Sequence, residues 1–239
     1  MRACYNYMWV IKMKMMMRTK RLNIVPLTDA ELEAKMNAES DPEMRKAYGE
    51  MLTGAQSDSA NRLWYTDWDI RLNTTGETVG DLCFKGPPGE RAEVEIGYGI
   101  NEGEWGRGYA TEAAKAAMEW AFSQSGVYWF MAESAPDNAA SLRVIEKLGL
   151  TPAGEGEEGP RFEKEKPASS LMSIYMCIGM CLGVGCGSAI DNLSIGLCVG
   201  LAIGVGLGSY LDSEDKKRRA AAAEKRAAIA SGCSDHTSD

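Results

Sequence analysis

The stretch Ala92-Glu93-Val94-Glu95-Ile96-Gly97-Tyr98-Gly99-Ile100, running into Asn101-Glu102-Gly103-Glu104-Trp105-Gly106-Arg107-Gly108-Tyr109-Ala110-Thr111, decides how this chain is read. Ala92, Val94, Ile96, Tyr98 and Ile100 alternate with Glu93, Glu95, Gly97 and Gly99, the period of a strand with one buried face. Both carboxylates then share the other face. Past the loop, Ala114, Ala117, Met118, Ala121 and Phe122 recur at the spacing of a core-facing helix. A strand, a glycine-containing loop and a helix N-terminus in that order make an anion site, because the free N–H groups and the helix dipole favour negative oxygens. Gly106 and Gly108 let the backbone approach a phosphate, Ala110 keeps the first turn small, and Arg107 adds positive charge. The spacing is neither a Walker A motif nor a complete G-x-G-x-x-G fingerprint.

Working outward, the chain from Leu22 to about Pro167 alternates strand-like and helix-like segments without an internal repeat. Leu22 to Leu27 reads as a first strand, and Thr28-Asp29 caps a short helix running through Met36. Asp41-Pro42-Glu43 opens a second short helix, with Pro at a tolerated first-turn position. Trp64 to Leu72 and Thr78 to Phe84 are β-rich runs joined by the turn Asn73 to Glu77, and Gly86-Pro87-Pro88-Gly89 turns the chain again. Val127 to Ala132 suits a strand covered on both faces. A last helix opens near Asp137 or Asn138, buries Leu142, Ile145 and Leu148, and stops at Gly149.

Composition narrows the chemistry. Over 239 residues the formal charge is −8, with 45% hydrophobic and 25% charged content, which supports a core and argues against a surface built to grip nucleic acid. The one histidine, His236, stands in a polar tail, so no Ser-His-Asp triad, Cys-His dyad or His-rich metal site is expected. Seven cysteines without paired spacing point to a reducing compartment. Arg2, Lys12, Lys14, Arg18, Lys20 and Arg21 precede the first acid, but Met8 to Ile11 is too short an apolar run for a signal peptide. Residues 1–16 are expected to be a basic extension without fixed structure.

The motifs Glu95-Ile96-Gly97-Tyr98, Trp105-Gly106-Arg107-Gly108-Tyr109-Ala110-Thr111-Glu112-Ala113, and Asn138-Ala139-Ala140-Ser141 ahead of Glu146-Lys147-Leu148-Gly149-Leu150 occur in this order. Together with Arg21-Leu22 and Pro26-Leu27-Thr28-Asp29, they make residues 17–167 resemble the GNAT N-acetyltransferases, particularly their ribosomal-protein N-terminal branch. The resemblance implies an α/β fold with a mixed, mostly antiparallel sheet, splayed to admit acetyl-CoA and flanked by helices. It implies diphosphate held by the amides of Trp105, Gly106, Arg107, Gly108, Tyr109, Ala110 and Thr111, with Asn138 and Ser141 along the cofactor arm and the Tyr98 to Ile100 backbone near the thioester. The implied activity is acetyl transfer to a primary amine, of a protein N-terminus or a small molecule, directly and without a metal. Such transfer needs a base to take the ammonium proton, and Glu95 is the candidate, with Glu93 as the weaker alternative. Relatives often supply a tyrosine from the last helix as the acid, but Ile145 stands at that place, leaving the thiolate to depart unaided or through water. Cys83 is a poor acyl carrier because nothing nearby in sequence would lower its pKa.

Past Pro167 the composition changes. From Leu171 to Leu211 the only charge is Asp191, dividing two apolar runs of 20 residues each, and Lys216-Lys217-Arg218-Arg219 then opens a polar, Ala-rich tail over 212–239. At ~1.5 Å per residue each run spans a hydrocarbon layer of ~30 Å. Gly179, Gly183 and Gly187 in the first run, and Gly196, Gly200, Gly204 and Gly208 in the second, recur every four residues, resembling glycine-zipper hairpins. Residues 168–211 are therefore expected to form a two-helix membrane hairpin, with a soluble apolar pair or an oligomerising zipper as the alternative. Flanking Lys164, Lys166 and Lys216 to Arg219 favour both ends, and the catalytic unit, on the cytoplasmic side. The competing function is a membrane-anchored binding or assembly protein whose acetyltransferase-like domain is degenerate.

Overall fold

The computed structural model describes residues 16–168 and 170–234, so the expected basic extension lies almost wholly outside the described residues. Two compact units emerge, Met1–Lys166 and Pro167–Asp239.

The first unit is built on one mixed sheet of eight strands: β1 (Met17–Arg18), β2 (Leu22–Pro26), β3 (Asp67–Leu72), β4 (Thr78–Phe84), β5 (Glu93–Ile100), β6 (Trp129–Glu133), β7 (Thr151–Glu155) and β8 (Pro160–Glu165). Their spatial order is β1-β2-β3-β4-β5-β6-β8-β7, and every pair is antiparallel except β5 and β6. The parallel register runs only over Glu93↔Trp129, Val94↔Phe130 and Glu95↔Met131. Beyond it β5 stays bonded to β4, from Phe84↔Ile96 to Gly80↔Ile100, while β6 stays bonded to β8 as far as Glu133↔Arg161. The sheet therefore forks at Glu95. Gly80 allows β4 to lie close against β5, since a methyl group there would collide with the Gly99 carbonyl.

Helices α1 (Asp29–Ala38), α2 (Pro42–Ser57) and α3 (Arg62–Tyr65) lie between β2 and β3. Thr28 caps α1 through a reciprocal box with Glu31, and Asp41 caps α2. Leu27, Leu32 and Tyr48 give this pair a small core of its own. The main core joins the sheet to α4 (Tyr109–Ser123) and α5 (Ala139–Leu148). Ala114, Ala117, Met118, Ala121 and Phe122 are all buried, as their spacing predicts, and Trp64, Trp68, Phe84 and Trp120 form an aromatic cluster beside them.

Several expectations shift. The second helix is not short, running 16 residues to Ser57. Trp64 and Tyr65 close α3 instead of opening a strand, because Trp64 turns into the aromatic cluster. In α5, Val144 joins Ile145 and Leu148 in the core, whereas Leu142 is only half-buried. The hairpin of β7 and β8 completes the sheet from a segment that carries Gly154, Gly156 and Gly159 and no apolar alternation.

The second unit is a hairpin of α6 (Leu171–Ala189) and α7 (Leu193–Ser234). The polar tail is thus helical, continuing α7 without a break to Ser234. All seven seam glycines are buried, each facing the other helix's backbone: a methyl group on Gly200 would overlap the Gly179 carbonyl, and one on Gly183 the Gly196 carbonyl. The seams are thus filled within the chain. Asp191 turns the chain with φ +52°, and Asn192 Oδ1 accepts from Ile195 N at 3.2 Å. At the open end Asp212 reaches across to accept from Leu171 N at 2.7 Å and Met172 N at 3.1 Å, capping α6 from its partner helix.

The seam sets a contrast. Gly200→Val should part the helices and lower the hairpin's melting temperature by many degrees in circular dichroism, whereas Gly206→Ala, which meets nothing within 4 Å, should leave it equal or higher. Equal melting of the two variants would show that close approach at the seam does not hold the hairpin.

Candidate active site

Strand β5 presents different chemistry on its two faces. Val94 and Ile96 point into the core with Tyr98 and Ile100 following, while Glu93, Glu95, Gly97 and Gly99 lie on the reverse.

On the core side, α4 begins at the mouth of the fork. Its N-cap is Gly108, with φ +79° and no side chain to offer, and Gly106 at φ +74° turns the loop before it. Helices α1, α2 and α5 are capped by Thr28, Asp41 and Asn138 side chains, so α4 differs in keeping its first N–H groups for something other than its own cap. Nothing lies within 4 Å of a methyl group built on Gly106, so the cradle is open. Tyr109, Ala110 and Thr111 form the first turn and are half-buried.

The remaining core-side candidates divide into those that face the fork and those that serve the loop. Tyr98 meets Ser141, its hydroxyl 3.1 Å from Ser141 Oγ, which ties β5 to the first turn of α5 across the fork. Burial pushes the Tyr98 phenol above its ordinary value, against the Ser141 hydrogen bond, so it stays neutral and able to donate. Asn138 Oδ1 accepts from Ser141 N at 3.0 Å, using its side chain as the α5 cap. Trp105 is 64% exposed and its indole donates to the Ile100 carbonyl at 2.5 Å, closing the loop onto the strand end. Arg107 turns its guanidinium to Glu104, 3.0 Å away. Ile145, where a tyrosine was sought, is sealed in the core.

Glu95 stands at the fork on the reverse face, with Lys85 Nζ at 2.5 Å and Arg161 Nη2 at 3.6 Å. Lys85 also holds Glu158 at 2.9 Å, Arg161 also holds Glu133 at 3.2 Å, and Glu133 accepts from Glu158 N at 3.1 Å. Three carboxylates thus share two cations. Burial works against the Lys85 ammonium, but Glu95 and Glu158 carry its pKa above the ordinary value. Glu93 is 3.8 Å from Arg91. None of this network was legible as such, because its members come from the residue after β4, from β5, β6 and β8, and from the turn before β8.

A second ionic cluster borders the same face. Asp67, Cys83 and Gly97 are register partners, as are Asp69, Asp81 and Gly99. Lys35 of α1 reaches Asp67 and Asp81, each at 2.5 Å. Burial and the neighbouring Asp81 push Asp67 up to about 6 although Lys35 opposes them. Burial, with Asp67 and Asp81, pushes the Cys83 thiol up to about 12, so it is no nucleophile at neutral pH.

With this geometry described, comparison with known proteins places the chain. Residues 21–151 match the model of the acetyltransferase (GNAT) domain, and residues 165–214 match that of the glycine zipper membrane proteins. The chain belongs to the GNAT acetyltransferase family and is an acetyl-CoA-dependent acyltransferase. It is 27% identical over 158 residues to the uncharacterized N-acetyltransferase p20 of Bacillus licheniformis, covering 66% of this chain and 77% of that one. It is also 27% identical over 158 residues to the FsC-acetyl coenzyme A-N(2)-transacetylase of Aspergillus fumigatus, covering 59% and 67%. Among solved structures, the ribosomal L7/L12 α-N-protein acetyltransferase RimL in complex with coenzyme A shares the fold, with a TM-score of 0.50 and 16% identity over 64% of this chain and 99% of that one.

The Asp67 cluster makes a pH prediction. A carboxyl whose proton affinity is higher folded than unfolded gives stability that is fully present below about 3.8 and is lost as pH rises through about 6. The difference in unfolding free energy between the parent and Asp67→Asn, from urea titrations, should fall across that window. A difference that stays level would mean Asp67 binds its proton equally well folded and unfolded.

Proposed function

We propose that the chain acetylates a primary amine, of a protein N-terminus or a small molecule, by direct transfer at the β5 fork while the second unit anchors it to a membrane. The observation that carries this reading is the placement of an uncapped, glycine-led helix N-terminus on one side of β5 and the Glu95 carboxylate on the other, where β5 leaves β6. The Trp105 to Thr111 amides hold the diphosphate of acetyl-CoA, Asn138 and Ser141 line its arm, and the freed Tyr98 to Ile100 backbone orients the thioester carbonyl and stabilises its developing negative charge. The amine enters from the reverse face, where Glu95 receives its proton directly or through one water. As the new C–N bond forms and the C–S bond breaks, the thiolate leaves unaided or is protonated by water. Lys85 and Arg161 hold Glu95 in place, and Cys83 takes no acyl group.

Membrane anchoring is supported by the glycine-zipper match and by the hairpin's outer surface. With the glycines turned inward, Ile174, Ile178, Leu182, Ile195, Val199 and Ile203 are all exposed. In water such a surface far exceeds what a soluble protein leaves open. The basic run Lys216 to Arg219, with Lys164 and Lys166 before the hairpin, supports both ends, and the catalytic unit, lying on the cytoplasmic side.

Supplied with acetyl-CoA and a panel of amines and N-terminal peptides, the protein should release coenzyme A, and Glu95→Gln should lower turnover on the order of a hundredfold at moderate pH. A variant profile that overlays the parent's would leave Glu95 a structural carboxylate. In fractionation, the full chain should sediment with membranes until detergent is added, and residues 1–170 should stay in the supernatant; identical soluble behaviour of both would dismiss the anchor.

A further inference from the structure

Arg21 carries no role in any of the sequence motifs, yet it is wrapped around the anion loop. Its backbone N–H donates to Glu112 Oε1 at 2.9 Å and its Nε to Glu112 Oε2 at 2.7 Å. Thr19 Oγ1 adds a third bond to the same carboxylate at 2.6 Å. Arg21 Nη1 donates to the carbonyl of Arg107, inside the loop, at 2.9 Å, and the guanidinium sits 4.7 Å over the Tyr109 ring. Its remaining nitrogen, Nη2, is 3.6 Å from a methyl group built on Gly108 and has no hydrogen-bond partner among the described residues.

Glu112 explains why such a brace is needed. It stands in the first turn of α4, where a carboxylate gains from the helix dipole but competes with any phosphate for that same positive end. Burial alone would raise its pKa, but the bonds from Thr19 and Arg21 hold it below the usual carboxylate range, so it is ionised. An unshielded charge one turn from the cradle would repel a diphosphate, since two like charges a few ångströms apart interact strongly outside bulk water.

We propose that Arg21 is the positioning residue of the diphosphate site: it neutralises Glu112, fixes the Arg107 peptide so that the loop amides converge, and presents Nη2 at Gly108 as an extra donor to the diphosphate. The proposal rests on the acetyl-CoA reading of this loop and adds to it a residue from the other end of the domain.

Calorimetric titration of the full-length parent, in detergent, with acetyl-CoA and with its 3′-dephospho form tests both levels. Binding by the parent is required by the acetyl-CoA reading; without it that reading falls first. Given parent binding, Arg21→Ala should weaken both ligands tenfold or more, and Arg21→Lys, which keeps charge but loses the fork to Arg107, should recover part of the loss. Glu112→Gln added to Arg21→Ala should restore much of the affinity, because the unshielded charge is gone, and added salt should weaken the parent more than Arg21→Ala. A merely structural brace moves neither the double-variant recovery nor the salt response. Equal affinities of parent and Arg21→Ala, or a double variant no better than Arg21→Ala, overturns the assignment, and so does a loss confined to acetyl-CoA, which would move Arg21 to the 3′-phosphate.

Discussion

Backbone pairing between β5 and β6 stops at Glu95 and Met131, and the chemistry of the first unit is arranged around that ending. Each strand keeps its outer partner, β4 or β8, so the fork sacrifices bonds only along the two inner edges. Backbone groups left without a ladder are open to other partners. The register with β4 sets Cys83 and Asp81 against Gly97 and Gly99 on the reverse face. The Tyr98–Ser141 contact spans the opening on the core side, so β5 and α5 are coupled where the sheet itself is not.

Charge is distributed unequally between the faces of this strand. On the core side, two acids beside the α4 N-terminus are matched: Glu104 with Arg107, and Glu112 with Arg21. The loop's own N–H groups then dominate, and the cradle favours anions. On the reverse face Glu95, Glu133 and Glu158 share Lys85 and Arg161, while Asp67 and Asp81 share Lys35. Carboxylates outnumber cations in both networks, giving this side the opposite sign. One sheet edge therefore separates an anion-favouring pocket from a cation-favouring surface, a polarity that a net charge of −8 does not reveal.

What the sequence disclosed follows the range of the interactions. The alternation of Val94, Ile96 and Tyr98, the glycines of the loop, and the apolar spacing of α4 are local, and each marks its element and its face. The Asn138 cap and the Gly149 stop are local too. The β7–β8 hairpin escaped because its exposed strands carry no hydrophobic period, and its place next to β6 is fixed only by the sheet. Arg21 and Glu112 lie 91 positions apart, so no spacing rule could pair them, though Arg21-Leu22 was already visible as part of the family resemblance. The ion pairs about Glu95 were hidden for the same reason, and they alter its character from a lone strand carboxylate to a member of a charged lattice.

The hairpin shows the same limit from the other direction. The four-residue repeat of glycines was legible, but a repeat alone is silent on whether a flat seam meets its own chain or another. In this chain the seam meets its own partner helix, and Asp212 closes it at the open end, its carboxylate accepting from the Leu171 and Met172 N–H groups at the start of α6. With the seams closed, the exposed side chains are mostly the long apolar ones up to Leu211, apart from the serines and the Asp191-Asn192 turn. Helix α7 has 42 residues, about 60 Å at ~1.5 Å each, roughly twice a hydrocarbon thickness. Its second half must stand in water. The change falls at Asp212, where capping carboxylate and end of the apolar run coincide just ahead of the basic segment, so the residue that closes the hairpin also marks where the helix surface turns from apolar to polar.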